Sequence, residues 1–306
     1  MDMCKKNGRA KILKRNKEER QKQQKRKNNN CISYNYMYYW FIFNHHDLLL
    51  QRTAGGGYTV PTGEECPINL NDGDETLDVS PSLNGCKVKT VDTKATVFFL
   101  ENNANVADGC HGYEMCDLRA SYYKLNKEMY LKAGKCHELL YWNNNTRYCS
   151  TCGAPMAMHT EISKRCTSCG KEAWPQLQTA IIVLISRGDE VVLVHAKNFK
   201  KPFYGLVAGF VETGETLEEA VKREVKEETS LDIKNIRYYA SQPWPYPCGL
   251  MVGFYADYAG GEIKLQQSEL AYGGWFNRHN LPTIPEKLSL ARMLIDHWLE
   301  SFEGKI

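Results

Sequence analysis

Three glutamates crowd one short stretch of the chain: Glu224, Glu227 and Glu228, in the segment EEAVKREVKEETSL. At spacings of three and four they share one side of a helix, with Glu227 offset about 60° from Glu224. Like charges so placed repel, at a cost of about 0.2–0.5 kcal/mol per pair in an isolated helix. Arg223 and Lys226 offset part of that repulsion, as on an ordinary charged surface. Hard divalent cations such as Mg2+ or Mn2+ offset it better, because they prefer oxygen ligands and bridge to phosphate oxygens. The pattern therefore points to metal-assisted chemistry on a phosphate, in which one carboxylate also orients or deprotonates water. Spacing alone does not choose between Glu227 and Glu228 for that last task. A second constellation is Cys149-x-x-Cys152 and Cys166-x-x-Cys169, with thirteen residues between the pairs. Two such thiolate pairs can close a tetrahedral zinc site, and Gly153 and Gly170 suit the tight turns that follow each pair. A redox pair is disfavoured because neither motif sits in a βαβ context, so the expected zinc is structural.

A helix must hold the glutamates, and its start is legible. Thr216 and Glu219 form an S/T-x-x-E capping box, which places the first helical residue near Leu217. Leu217, Val221 and Val225 make its apolar stripe, and Glu224 and Glu228 fall beside that stripe. Ahead of it, AIIVLI, a turn over residues 187–190 and VVLVHA read as a β-hairpin. Residues 204–211 lead into the helix, strands are expected at 236–240, 250–258 and 262–265, and an amphipathic helix over 286–302. Mixed strands with two helices imply an α/β sandwich. Upstream, YYWFIF, a polar turn at 44–47 and LLLQ form another hairpin. Further strands over 88–100 and around 118–125, then a mainly helical segment over 125–142, make a small α+β domain. Residues 143–145 read as a loop. Cys66, Cys86, Cys110, Cys116 and Cys136 lack metal-type spacing and are expected as buried thiols, and His195, His279 and His297 as structural or surface residues.

The 306 residues allow about two domains and exclude fibrous and wholly disordered classes. The net charge of +3 hides an asymmetry: residues 1–30 hold 12 basic and 3 acidic side chains, leaving the remainder at −6. That segment is too polar to bury a core. It reads as a solvated tail or a mis-assigned start ahead of Met37, with a nucleic-acid arm as the functional alternative. The tail would span residues 1–36, the α+β domain 37–142, the zinc ribbon 143–175 and the sandwich 176–306. Twelve cysteines are too few for a disulfide scaffold. No apolar run suits a membrane span or a signal peptide, so a cytoplasmic protein without a membrane partner is expected.

Gly209, Glu215 and the run Arg223-Glu224-Val225-x-Glu227-Glu228, within 23 residues, resemble the Nudix box of hydrolases that cut nucleoside diphosphates linked to another moiety. Ser230 departs from the box, which has glycine there, and a left-handed serine costs on the order of 1 kcal/mol. Downstream, SQPWPYP over 241–247 followed by Leu250 and Met251 is similar to the signature of NADH pyrophosphatases, a branch that also carries a four-cysteine ribbon before its Nudix domain. The resemblance implies an α/β/α Nudix sandwich with a mixed sheet and hydrolysis of NAD(H) to AMP and nicotinamide mononucleotide. It also implies removal of NAD caps from RNA as a further activity, and a homodimer. Ala208, through its carbonyl, would join Glu224, Glu228 and Glu269 around Mg2+ or Mn2+. Phe210, Gln242, Trp244, Tyr246 and Ala291 would meet the substrate, and Gly209, Glu215 and Arg223 would organise the box. For Phe210 core packing is the competing expectation, and for Trp244 and Tyr246 a structural proline-aromatic turn. Two other functions stay open at this level: a Nudix hydrolase for another substrate such as ADP-ribose, and a non-enzymatic zinc-ribbon protein that binds nucleic acid.

Overall fold

The computed structural model describes residues 37–93, 112–199 and 201–304. The basic tail, Cys110 and the 94–100 part of the strand expected over 88–100 lie outside them. Strands β1 (Tyr38–Asn44) and β2 (Asp47–Arg52) form the expected hairpin, with a turn of only His45 and His46. β3 (Tyr58–Thr59), β4 (Thr62–Gly63), β5 (Glu75–Asp78), β6 (Lys87–Asp92) and β7 (Tyr113–Asp117) complete a seven-stranded sheet. Helix α1 (Lys127–Asn145) lies on it, burying Met129, Ala133, Cys136 and Leu140 against Phe41, Phe43, Leu48 and Leu50. Trp40, Ile42 and Leu49 alternate to the opposite face.

Two readings of this region are corrected. Residues 118–125 are not a strand: Ala120–Tyr123 is a 3-10 turn, fixed by Ser121 Oγ donating to Leu118 O at 2.7 Å and Ala120 N to Asp117 Oδ1 at 3.1 Å. Residues 143–145 are the last turn of α1. The Asn143 side chain donates to Glu75, and Asn144 Nδ2 to Asp92 Oδ2 at 2.6 Å, so tertiary partners outweigh the loop propensity of asparagine.

The ribbon is a three-stranded antiparallel sheet of β8 (Met156–Thr160), β9 (Ser163–Cys166) and β10 (Glu172–Ala173). Beyond it, β11 (Gln178–Arg187), β12 (Glu190–Ala196), β13 (Val207–Phe210), β14 (Asp232–Trp244), β15 (Gly249–Gly260) and β16 (Leu270–Asn277) make a six-stranded mixed sheet in the order β14-β15-β11-β12-β16, with β13 paired to β11. Only β11 and β15 run parallel among its paired neighbours. Period-two alternation along β11 splits its side chains between two cores. Ile181, Val183 and Ile185 pack beneath Val221 and Val225 of α2 (Leu217–Thr229), and Ile182 and Leu184 beneath Leu294 and Ile295 of α3 (Leu290–Ser301). This is the α/β/α sandwich.

Three boundaries differ from expectation. Residues 262–265 are not a strand; Ile263 and Leu265 pack on the α2-side core from a loop, so their alternation reports burial alone. β16 was not expected, because Gly273 and Gly274 interrupt its pattern. A Cβ on Gly273 would lie only 3.0 Å from Leu265 and 3.1 Å from Val194, which is why glycine stands there. α3 begins at Leu290, capped by Ser289 Oγ accepting from Arg292 N at 3.3 Å. Among the described residues no helix is long and apolar enough to cross a membrane.

Candidate active site

Helix α2 begins where its capping box dictates. Glu219 N donates to Thr216 Oγ1 at 3.2 Å, and Thr216 N to Glu219 Oε2 at 2.7 Å. It ends at Ser230, whose φ of 62° is the left-handed conformation for which glycine is the easier residue. Between these ends, burial of Ala220, Val221 and Val225 sets the helix rotation and brings Glu224 and Glu228 to the margin of the sheet.

Arg223 organises the first half of the site. It donates to Glu215 Oε1 at 2.6 Å and Oε2 at 3.0 Å, to Glu224 Oε1 at 2.8 Å and to Phe210 O at 2.9 Å, with Glu227 3.5 Å away. The hydrogen bond from Arg223 holds the Glu215 carboxyl down at about 2. Gly209 is required by the same packing: any Cβ there would collide with the Glu224 carboxyl. Glu224 is raised above the usual carboxylate range by burial, with Arg223 opposing.

Glu228 is buried, and its Oε2 has no hydrogen-bond partner. Burial, reinforced by repulsion from Glu224, Glu269 and Glu227, pushes its carboxyl up to about 8. A buried acid with an orphaned oxygen beside three other carboxylates is costly unless a cation meets it, and the all-oxygen donor set suits a hard dication. Glu269 comes from outside the helix, and backbone bonds bring it there. Lys264 N donates to Thr229 O and Gln266 N to Glu228 O, both at 2.9 Å, and Glu269 N donates back to Gln266 O at 3.1 Å. Ala208, on β13, pairs with Ile182.

Phe210 is 62% exposed, so core packing does not account for it. With Leu177, Gln178, Thr179 and Val211 it lines a shallow cavity of about 450 Å³. The SQPWPYP segment is a turn only in its second half: through Trp244 it belongs to β14, with Gln242 opposite Met251 and Pro243 opposite Leu250. β14 is an edge strand, where the missing N–H of proline is tolerated. Gln242 Nε2 donates to Leu288 O and its Oε1 accepts from Leu290 N, both at 2.8 Å, so its amide holds the start of α3 next to buried Ala291. Trp244 and Tyr246 sit edge to face, 5.2 Å apart, half-buried against the N-terminal core. Arg119, which nothing in the sequence singled out, lies 5.1 Å from the Trp244 ring centre and 4.5 Å from that of Tyr246. Tyr130 and Tyr246 share a 2.8 Å hydroxyl hydrogen bond across 116 residues. No local sequence signal reports contacts of that range.

The four ribbon thiols converge, their sulfurs all within 4.8 Å of one another. Thr151 N donates to Cys149 Sγ, and Ser168 N and Cys169 N to Cys166 Sγ, each at 3.4 Å, an arrangement that favours thiolates. Gly153 and Gly170 take φ of 73° and 76°. Among the described residues this is the one set of three or more ligand atoms so close together.

Three family descriptions match successive parts of the chain. They are the NADH pyrophosphatase-like rudimentary NUDIX domain over residues 37–142, the NADH pyrophosphatase zinc ribbon domain over 144–172 and the NUDIX domain over 175–296. The NAD-capped RNA hydrolase NudC of Pseudomonas entomophila (strain L48) is 40% identical over 202 residues, which cover 65% of this chain and 72% of that protein. The chain belongs to the NADH pyrophosphatase family of Nudix hydrolases. The NudC of Stutzerimonas stutzeri (strain A1501) is also 40% identical, over 61% of this chain and 68% of its own length. A NUDIX hydrolase from Nitrosomonas europaea superposes with a TM-score of 0.45 at 21% identity, over 52% of this chain and 94% of that one. As in its family, this Nudix hydrolase carries a zinc ribbon, and its four converging cysteines make the zinc structural.

Proposed function

We propose that this enzyme hydrolyses the pyrophosphate bond of NAD(H) to nicotinamide mononucleotide and AMP, and that it removes NAD caps from RNA. The observation that carries the reading is Glu228, buried with an orphaned oxygen among Glu224, Glu227 and Glu269. The family membership and the printed activity of the NudC relatives support the substrate assignment.

In this reading the carboxylates of Glu224, Glu228 and Glu269, with the carbonyl of Ala208, hold Mg2+ or Mn2+. Such a cation, when bound, neutralises the dianionic linkage and acidifies coordinated water. Arg223 keeps Glu224 and Glu215 in register with the loop after Gly209. Glu227, 53% exposed in its side chain, keeps its oxygens within reach of solvent, and we assign it the proton of the attacking water. Phe210 presents an open ring for the substrate. Trp244 and Tyr246, half-buried against the N-terminal core, are assigned to substrate binding, and Gln242 fixes the α3 start that carries Ala291. The three units are assigned to residues 37–142, 143–175 and 176–306, and the assembly to a homodimer.

Product analysis tests the reading. NADH with Mg2+ or Mn2+ is expected to give reduced nicotinamide mononucleotide and AMP, and NAD-capped RNA to give 5′-monophosphorylated RNA. Release of nicotinamide, or turnover of ADP-ribose in preference to both, would contradict it.

A further inference from the structure

Beside the carboxylate cluster lies a row of aromatic side chains with no part in the chemistry above. Lys197 N donates to Glu269 O at 2.8 Å, which anchors residues 197–199 next to the site. Lys197, Phe199, Lys201 and Phe203 interleave charge and aromatic rings in the sequence. Phe199 and Phe203 stack with centroids 4.4 Å apart and planes 21° apart. Phe199 meets His195 edge to face at 5.6 Å, and His195 in turn lies 6.1 Å from Tyr272 at 33°. The row is held from beneath. His195 Nδ1 donates to Phe203 O at 2.7 Å, and Gly205 is close enough that a Cβ there would lie 3.5 Å from the Phe199 ring. Lys201 is tethered to Glu286 at 3.0 Å and Lys197 Nζ donates to Gln267 O, and the two cations stand on either side of Phe199 in the sequence.

Packing explains Phe199, Phe203 and His195, but not Tyr272. It is cross-strand to His195 and remains 64% exposed at the open end of the row. Glu269 is three residues away along the chain, a span of at most about 10–11 Å. In a capped RNA the adenosine next to the cleaved linkage carries the rest of the strand, which must leave the carboxylates across an adjoining surface. Single-stranded RNA is held by aromatic faces flanked by cations.

We propose that Tyr272, backed by His195 and Phe199, with Lys197 and Lys201 on either side of Phe199 in the sequence, is a stacking platform for the first bases of RNA beyond the cap. The proposal rests on the capped-RNA reading of this site. It is tested by binding, which requires no turnover. The probe is a short 5′-monophosphorylated RNA labelled with fluorescein at its 3′ end, followed by anisotropy with the full-length protein in Mg2+, with AMP affinity measured by calorimetry. Wild type is expected to bind the RNA more tightly than AMP. Tyr272→Ala should weaken RNA about tenfold relative to AMP, and Tyr272→Phe should keep wild-type affinity. RNA binding no tighter than AMP, or a Tyr272→Ala loss equal for both ligands, would overturn the platform even if capped RNA is cleaved. Cleavage of NADH but not of capped RNA would instead count against the capped-RNA reading, whatever the binding shows.

Discussion

Buried Glu228 and half-buried Glu138 each have an orphaned oxygen, and their surroundings give them different meanings. Glu228 has three carboxylates for neighbours and makes sense as a cation ligand. Glu138, on α1, is raised to about 7 by burial alone. Its folded value lies above the model-peptide range, so the unfolded chain gives up the proton first. The resulting destabilisation is absent below about pH 4, grows as pH rises and is complete above about pH 7. Glu138→Gln should therefore leave thermal stability unchanged at pH 4 and raise it at pH 8 by about 2 kcal/mol, discounted for partial solvent access. Equal melting shifts at both pH values would contradict this. Ser230 offers a second test. Its left-handed backbone should be relieved in Ser230→Gly by about 0.5–1 kcal/mol, net of the unfolded-state entropy of glycine, seen as a higher midpoint in urea. An unchanged or lower midpoint would show that the strain is absorbed elsewhere. The box residues were legible because Arg223, Glu224 and Glu228 sit within one helix, whose own geometry brings them together. Arg119 was not, because its contacts with Trp244 and Tyr246 depend on how two domains dock.

At the scale of elements, local signals located the start of α2 and the turn of the β11–β12 hairpin, since capping box, stripe and turn residues act within a few positions. They failed where tertiary partners decide. β14 runs through a proline because it is an edge strand, and β16 carries Gly273 because Val194 and Leu265 press on it there. The ribbon is the element most dependent on a bound ion. Its three strands bury little, so metal-binding free energy there is folding free energy. Chelation of zinc should abolish hydrogen-exchange protection in β8–β10 while leaving β11–β15 protected. Retained protection in the ribbon after full zinc removal would contradict this.

Over the whole molecule, the parts are joined at defined contacts. Buried Lys164 of the ribbon donates to Asn143 O at 2.8 Å and Thr146 O at 3.2 Å, meeting the negative end of α1. Gly134 of α1 lets the helix approach Pro245, where an added Cβ would stand 3.0 Å from the ring. Tyr123 donates to Glu286 Oε2 at 3.0 Å, linking the N-terminal unit to the segment before α3. These contacts hold the N-terminal unit against Pro245 and the segment before α3, and the chemistry stays centred on the carboxylate cluster. Its most direct test is Mn2+ binding, followed by electron spin resonance, with NADH turnover measured on the same samples of wild type and Glu228→Gln. Loss of at least tenfold in Mn2+ affinity, with a fall of at least about a hundredfold in turnover, is expected. Unchanged Mn2+ binding with undiminished turnover in Glu228→Gln would contradict the account.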